Sequence, residues 1–113
     1  MYEEVLKTIE ENRIIAIVRG LDHGYTDLAK ALYNGGIRVM ELTYNLKEPD
    51  TWKKTAQGIS DIRTAMRDKM CVGAGTVVSV EMVEMTKQAG GQFVVSPDTN
   101  IEVIKKTKKL GMV

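Results

Sequence analysis

Cysteine is almost absent from this chain of 113 residues. Cys71 stands alone, so no internal disulfide can form, and no CxxC spacing offers a metal site. It lies in an apolar stretch and reads as a small buried hydrophobe. A lone thiol is the usage of a reducing compartment, so a cytoplasmic location is expected. Histidine is equally scarce. His23 has no HxxxH partner and no His/Cys cluster around it, so no metal is expected and no Ser/His/Asp triad can be drawn. No apolar run approaches the roughly 20 residues needed to cross a bilayer. The opening MYEEVLKTIEENR is acidic and amphipathic, unlike a signal peptide. Neither sign of charge dominates: 16 Lys+Arg face 15 Asp+Glu, a formal net charge of +1. That balance gives no electrostatic reason to expect nucleic acid or an anionic membrane as partner. Lys105, Lys106, Lys108 and Lys109 form the one basic run, read as a solvated helix face.

What is present is apolar periodicity. Hydrophobic residues make up 43% of the chain, enough for one core and one domain over residues 1–113. Tyr2, Val5, Leu6 and Ile9 recur at helical spacing, as do Tyr25, Leu28, Ala29 and Leu32. Trp52, Ala56, Ile59 and Met66 give a longer helix its stripe, with Pro49 placed where a first turn tolerates proline. Between these segments lie short continuous apolar runs, the pattern of strands covered on both faces: Ile14–Val18, Ile37–Thr43, Met70–Ala74 and Phe93–Ser96. Ser79 caps one further helix and Asn100 or Thr99 another. Gly35-Gly36, Gly90-Gly91 and Gly111 mark helix ends, and Met112-Val113 could open a fifth strand. Met40, Met66, Met70, Met82 and Met85 follow the periodicity and read as core filler.

The order is one helix, then strand–helix four times, which demands a parallel sheet with right-handed crossovers. Two features favour a (β/α)8 TIM barrel over an open doubly wound sheet. The dinucleotide-binding GxGxxG is missing after the first strand. Polar residues also gather at the C-terminal end of every strand: Arg19, Glu41 and Thr43, Thr76, and Ser96. That rim is where barrel chemistry sits. On this reading the chain supplies an N-terminal helix and the first four βα units of an α/β barrel.

Glu41 is the leading candidate for catalysis. It is flanked by Met40 and Leu42 in a run that predicts a buried strand, so desolvation should raise its pKa toward the range useful for general acid/base work. The same residue could instead be a structural partner of Arg19 or Arg38. Thr43 and Thr76, the latter beside Gly75, could seat an oxyanion or carboxylate, or simply close strand-to-helix turns. Arg19 could clamp a carboxylate or phosphate, or pair with Glu41. Ser96-Pro97 could shape a substrate wall, or merely end a strand.

Four segments carry a resemblance: IIAIVRG, GGIRVMELTYN, VGAGTVVS and GGQFVVSPDTN, in this order and spacing. Together they resemble the 2-keto-3-deoxy-6-phosphogluconate (KDPG) and 4-hydroxy-2-oxoglutarate (KHG) aldolases, over essentially the whole chain. The resemblance implies a class I aldolase on a (β/α)8 barrel, usually a homotrimer. Such an enzyme is a lyase that releases pyruvate from a 2-keto acid through a lysine Schiff base, without metal or other cofactor. It implies Glu41 as general acid/base, with Arg19, Thr43, Thr76 and Pro97 lining the pyruvate end of the pocket. Some members carry a carboxylate-binding arginine a few residues after the glutamate. Asn45 stands about there in this chain, which makes Arg19 the better candidate.

Family members are roughly twice as long, and their Schiff-base lysine lies on the sixth strand. Lys7, Lys30, Lys53, Lys54 and Lys87 fall within helices and Lys69 precedes a strand at the opposite end, so none is expected to replace it. The isolated 113 residues are therefore expected to be inactive. Four strands would also leave open edges, which predicts pairing with a second copy, with a missing half, or with the remainder of a longer chain.

Overall fold

The computed structural model describes residues 2–113. Helix α1 (Tyr2–Asn12) leads into strand β1 (Ala16–Val18), then α2 (Tyr25–Asn34) and β2 (Val39–Thr43). A 3-10 turn at Pro49–Thr51 opens α3 (Trp52–Met66), a second at Arg67–Lys69 leads to β3 (Cys71–Gly75), and α4 (Val80–Gln88) and α5 (Ile101–Lys109) follow. The strands form one parallel sheet in the order β1-β2-β3. Ile17 aligns with Glu41, and Glu41 with Gly73.

The expected fourth strand at Phe93–Ser96 is reduced to a single parallel bridge between Val94 and Ala74. Backbone bonds still tie the segment to β3: Ala74 N donates to Phe93 O at 3.1 Å and Val95 N to Ala74 O at 2.8 Å. One rung is different, because the Val72 amide donates to the side-chain Oε1 of Gln92 rather than to a backbone carbonyl. On the far side Val94 N donates to Val113 O and Val113 N to Gln92 O, the first contacts of the fifth extended segment anticipated at Met112-Val113. The expected strand starts near 14 and 37 move to 16 and 39. Pairing with β1 begins at the second residue of β2, with Ala16 opposite Met40, and Ile14 and Ile15 lie ahead of it.

Strand periodicity separates two faces. Met40, Leu42, Val72 and Ala74 pack into a large core with Ala29, Ile59, Ile62, Met82, Val83 and Val103 from the four later helices. Met66 and Met70 belong to that core and Met85 packs against it, as their spacing implied. Val39, Cys71 and Phe93 point the other way and pack with Val5 and Ile9 of α1. Helix α1 thus covers the N-terminal end of the second face, leaving its C-terminal end for Glu41, Thr43, Gly73 and Gly75.

The caps read from sequence are made. Ser79 Oγ accepts from Met82 N at 3.2 Å, and Asn100 Oδ1 accepts from Glu102 N and Val103 N. The lysine run is mostly solvated, but Lys106 is half-buried and pairs with Glu84 at 2.6 Å, joining α5 to α4.

Candidate active site

Glu41 lies in the middle of the central strand β2 and is only 5% exposed. Thr43, two residues on and on the same face, is 7% exposed. The carboxyl of Glu41 lies over Gly75, the last residue of β3, in space that a side chain there would fill. Burial pushes the Glu41 carboxyl above the usual glutamate range. The Arg19 guanidinium and the neighbouring Thr43 hydroxyl pull it down less strongly. Yet Glu41 Oε2 and Thr43 Oγ1 both remain without a hydrogen-bond partner among the described residues. Buried polar atoms are rarely left so, and two side by side mark a place built for something other than packing.

Above this pair, at the C-terminal ends of the strands, is a hollow of about 660 Å³. Arg19, Thr43, Thr76 and Pro97 all line it, although they come from four different segments. Glu41 is not on its wall and lies one residue pair deeper than Thr43. The alternative of Glu41 as an ion-pair partner finds no contact: among the described residues neither arginine comes within salt-bridge distance of it. Arg38 instead lies over the Tyr33 ring, 3.9 Å from its centroid, and donates to the carbonyls of Tyr33 and Ile37. Thr76 has φ of 58°, a left-handed conformation that β-branched residues seldom adopt and that costs about 1–3 kcal/mol.

Local bonds hold the walls of the hollow. Tyr44, fully buried after β2, hydrogen-bonds through its hydroxyl to Thr86 of α4 at 2.9 Å and meets Trp52 edge-on. Trp52 Nε1 donates to Asn45 O, and Asn45 Oδ1 accepts from Lys47 N. Asn45 therefore shapes its own loop. On the other wall Ser96 Oγ donates to Val77 O at 2.7 Å, which fastens the approach to Pro97 onto the end of β3. Sequence reasoning missed Lys47 and Lys54, which also line the hollow. Lys54 belongs to α3, as its spacing predicted, but the first turn of α3 brings it to the rim. It is exposed and lies 3.4 Å from Asp22 Oδ1. For Lys47, in the loop after β2, that position was the available signal, since loops at strand C-termini frame such sites; Lys54, on a helix, had none. His23 lies outside this hollow, and no group of three or more His, Cys, Asp or Glu residues that could hold a metal occurs among the described residues.

A parallel α/β unit with a desolvated acid beneath a hollow at the strand C-termini defines the structural class. Residues 5–112 match the aldolase family of KDPG and KHG aldolases, and the chain belongs to that family. It is 37% identical over 102 residues to a 2-dehydro-3-deoxy-phosphogluconate aldolase of Treponema pallidum, covering 88% of this chain and 45% of that protein. Against a 2-dehydro-3-deoxy-6-phosphogalactonate aldolase of Escherichia coli it is 32% identical, covering 88% and 46%. A crystal structure of the 2-keto-3-deoxy-6-phosphogluconate aldolase of Zymomonas mobilis shares the fold, with a TM-score of 0.79 at 22% identity over 99% of this chain and 50% of that one. The chain spans about half the length of these relatives.

Proposed function

We propose that this chain is the N-terminal half of a class I aldolase barrel. Its substrate would be KDPG, cleaved to pyruvate and glyceraldehyde 3-phosphate, or 4-hydroxy-2-oxoglutarate, cleaved to pyruvate and glyoxylate, or both. The whole enzyme would be a cytoplasmic homo-oligomer, a trimer by family resemblance. The observation that carries the reading is the buried carboxyl of Glu41 beneath the hollow, with its Oε2 left without a hydrogen-bond partner. A carboxyl with a raised pKa is suited to take and return protons near neutrality, as Schiff-base formation and C–C cleavage both require. Arg19 at the rim supplies positive charge for the carboxylate of the 2-keto acid, and the Thr43 and Thr76 hydroxyls supply hydrogen bonds to its oxygens. Pro97 closes the wall without adding a competing N–H.

In a chain of the relatives' full length, Glu41→Gln should lower turnover by about 10²–10⁴-fold. Turnover at the parental rate would remove Glu41 from the mechanism. On this reading no lysine within the 113 residues forms the covalent adduct, since Lys47 and Lys54 are the lysines on the hollow and both are exposed. Borohydride treatment of these 113 residues with pyruvate should leave the mass of the protein unchanged. A trapped adduct would show that an amine of this chain forms the Schiff base, and would overturn this part of the reading.

A second reading has its own observation. Ile14, just before β1, and Ile17, on the same uncovered face as Glu41, are 59% and 65% exposed. A non-catalytic half-barrel that self-associates through this uncovered face and the open edge of β1 fits that exposure.

A further inference from the structure

We propose that Gly75 is a positioning residue for Glu41: the missing side chain at the end of β3 is the niche that holds the carboxyl under the hollow. This deepens the reading of Glu41 as the proton-transfer group and rests on it for its functional meaning, but the placement itself is testable without any activity.

The geometry is specific. A Cβ on Gly75 would lie 2.5 Å from Glu41 Cδ and 2.9 Å from Oε1, and would overlap Oε2 outright. The backbone does not require glycine here. Gly75 is not among the glycines with positive φ, and it pairs in regular parallel register with Thr43. The demand for glycine is therefore spatial, and the group that occupies the space is the carboxyl. Gly73, two residues earlier on the same face, is different. A Cβ there would overlap the backbone carbonyl of Phe93, a group that cannot swing aside. At Gly75 the obstacle is the free end of a side chain, which can rotate. An added methyl would thus be accommodated by expelling the carboxyl from its niche, leaving the sheet intact. The exit is toward the hollow or across the same face toward the exposed Ile17, where water can solvate the charge.

The test is the titration of the Glu41 side-chain carboxyl by ¹³C NMR, on the 113-residue chain and on a chain of the relatives' length, in parental and Gly75→Ala forms. The parent should titrate above the ordinary glutamate range, and Gly75→Ala should bring the midpoint down into it. An unchanged midpoint in a folded Gly75→Ala protein overturns the proposal. Should Gly75→Ala unfold the chain, the Glu41→Ala/Gly75→Ala pair decides. Removing the carboxyl vacates the space, so the double variant should recover the melting temperature of Glu41→Ala alone. A Gly75→Ala loss that persists undiminished in the Glu41→Ala background would show that the methyl clashes with something else, and would overturn the proposal equally. If the aldolase reading were wrong, the longer chain would show no cleavage activity, yet these titration and melting results would stand.

Discussion

At the scale of single residues, the cost of Glu41 is borne by the fold. Its native pKa lies above the ordinary value while the unfolded chain has the ordinary one. Between those two values the native state keeps a proton that the unfolded state has lost. Stability therefore falls as pH rises through that window, and above it the full penalty remains, about 1.4 kcal/mol for each unit of elevation. Glu41→Gln cannot ionise, so its chemical denaturation midpoint should lose the parental decline across this window. A Glu41→Gln protein that keeps the same pH slope would mean that another group causes it. Legibility at this scale was uneven. The apolar neighbours Met40 and Leu42 announced the burial of Glu41, because strand periodicity is local. Nothing local announced that Gly75, 34 positions away, would house its carboxyl, since that is a matter of register between β2 and β3.

At the scale of elements, the close approach of α2 to α3 depends on Gly58. A Cβ there would lie 2.7 Å from Tyr25 Cδ2 and 2.8 Å from Leu42 Cδ2. Alanine in a helix interior normally gains about 0.5–1 kcal/mol over glycine. Overpacking a close contact costs about 1–3 kcal/mol and here should win. Gly58→Ala is accordingly expected to lower the urea midpoint, and a rise would show that the helices part without penalty. The sequence marked α3 by its stripe of Trp52, Ala56, Ile59 and Met66, but the helix that Gly58 meets is set by packing. The same contrast explains the fourth strand. Its apolar run was legible, whereas the diversion of the Val72 amide to the Gln92 side chain, which breaks the regular ladder, was not.

For the whole molecule, the open edge is the governing feature. Among the described residues strand β1 has a neighbour on one side only, with Ile14 exposed just before it and Ile17 exposed on its Glu41 face. Unpaired edges with apolar side chains are templates for association. Light scattering of the 113-residue chain should show a mass that rises with concentration, and Ile17→Lys should suppress the rise. A monomer at all concentrations would count against the edge as an interface. This edge was anticipated from the count of βα units alone, because a parallel sheet of so few strands cannot close on itself.

The amino-acid sequence by itself determined the alternation of elements, the parallel sense of the sheet, the helix caps and the depth of Glu41. All of these follow from periodicity, capping chemistry and crossover handedness within short stretches of chain. The convergence of Arg19, Thr43, Thr76 and Pro97 on one hollow was implied by resemblance but became geometry only with the fold. The entry of Lys54 into that hollow, and the niche at Gly75, were decided by tertiary structure alone. Each depends on the distance between segments far apart in sequence, and that distance is a property of strand register and helix packing.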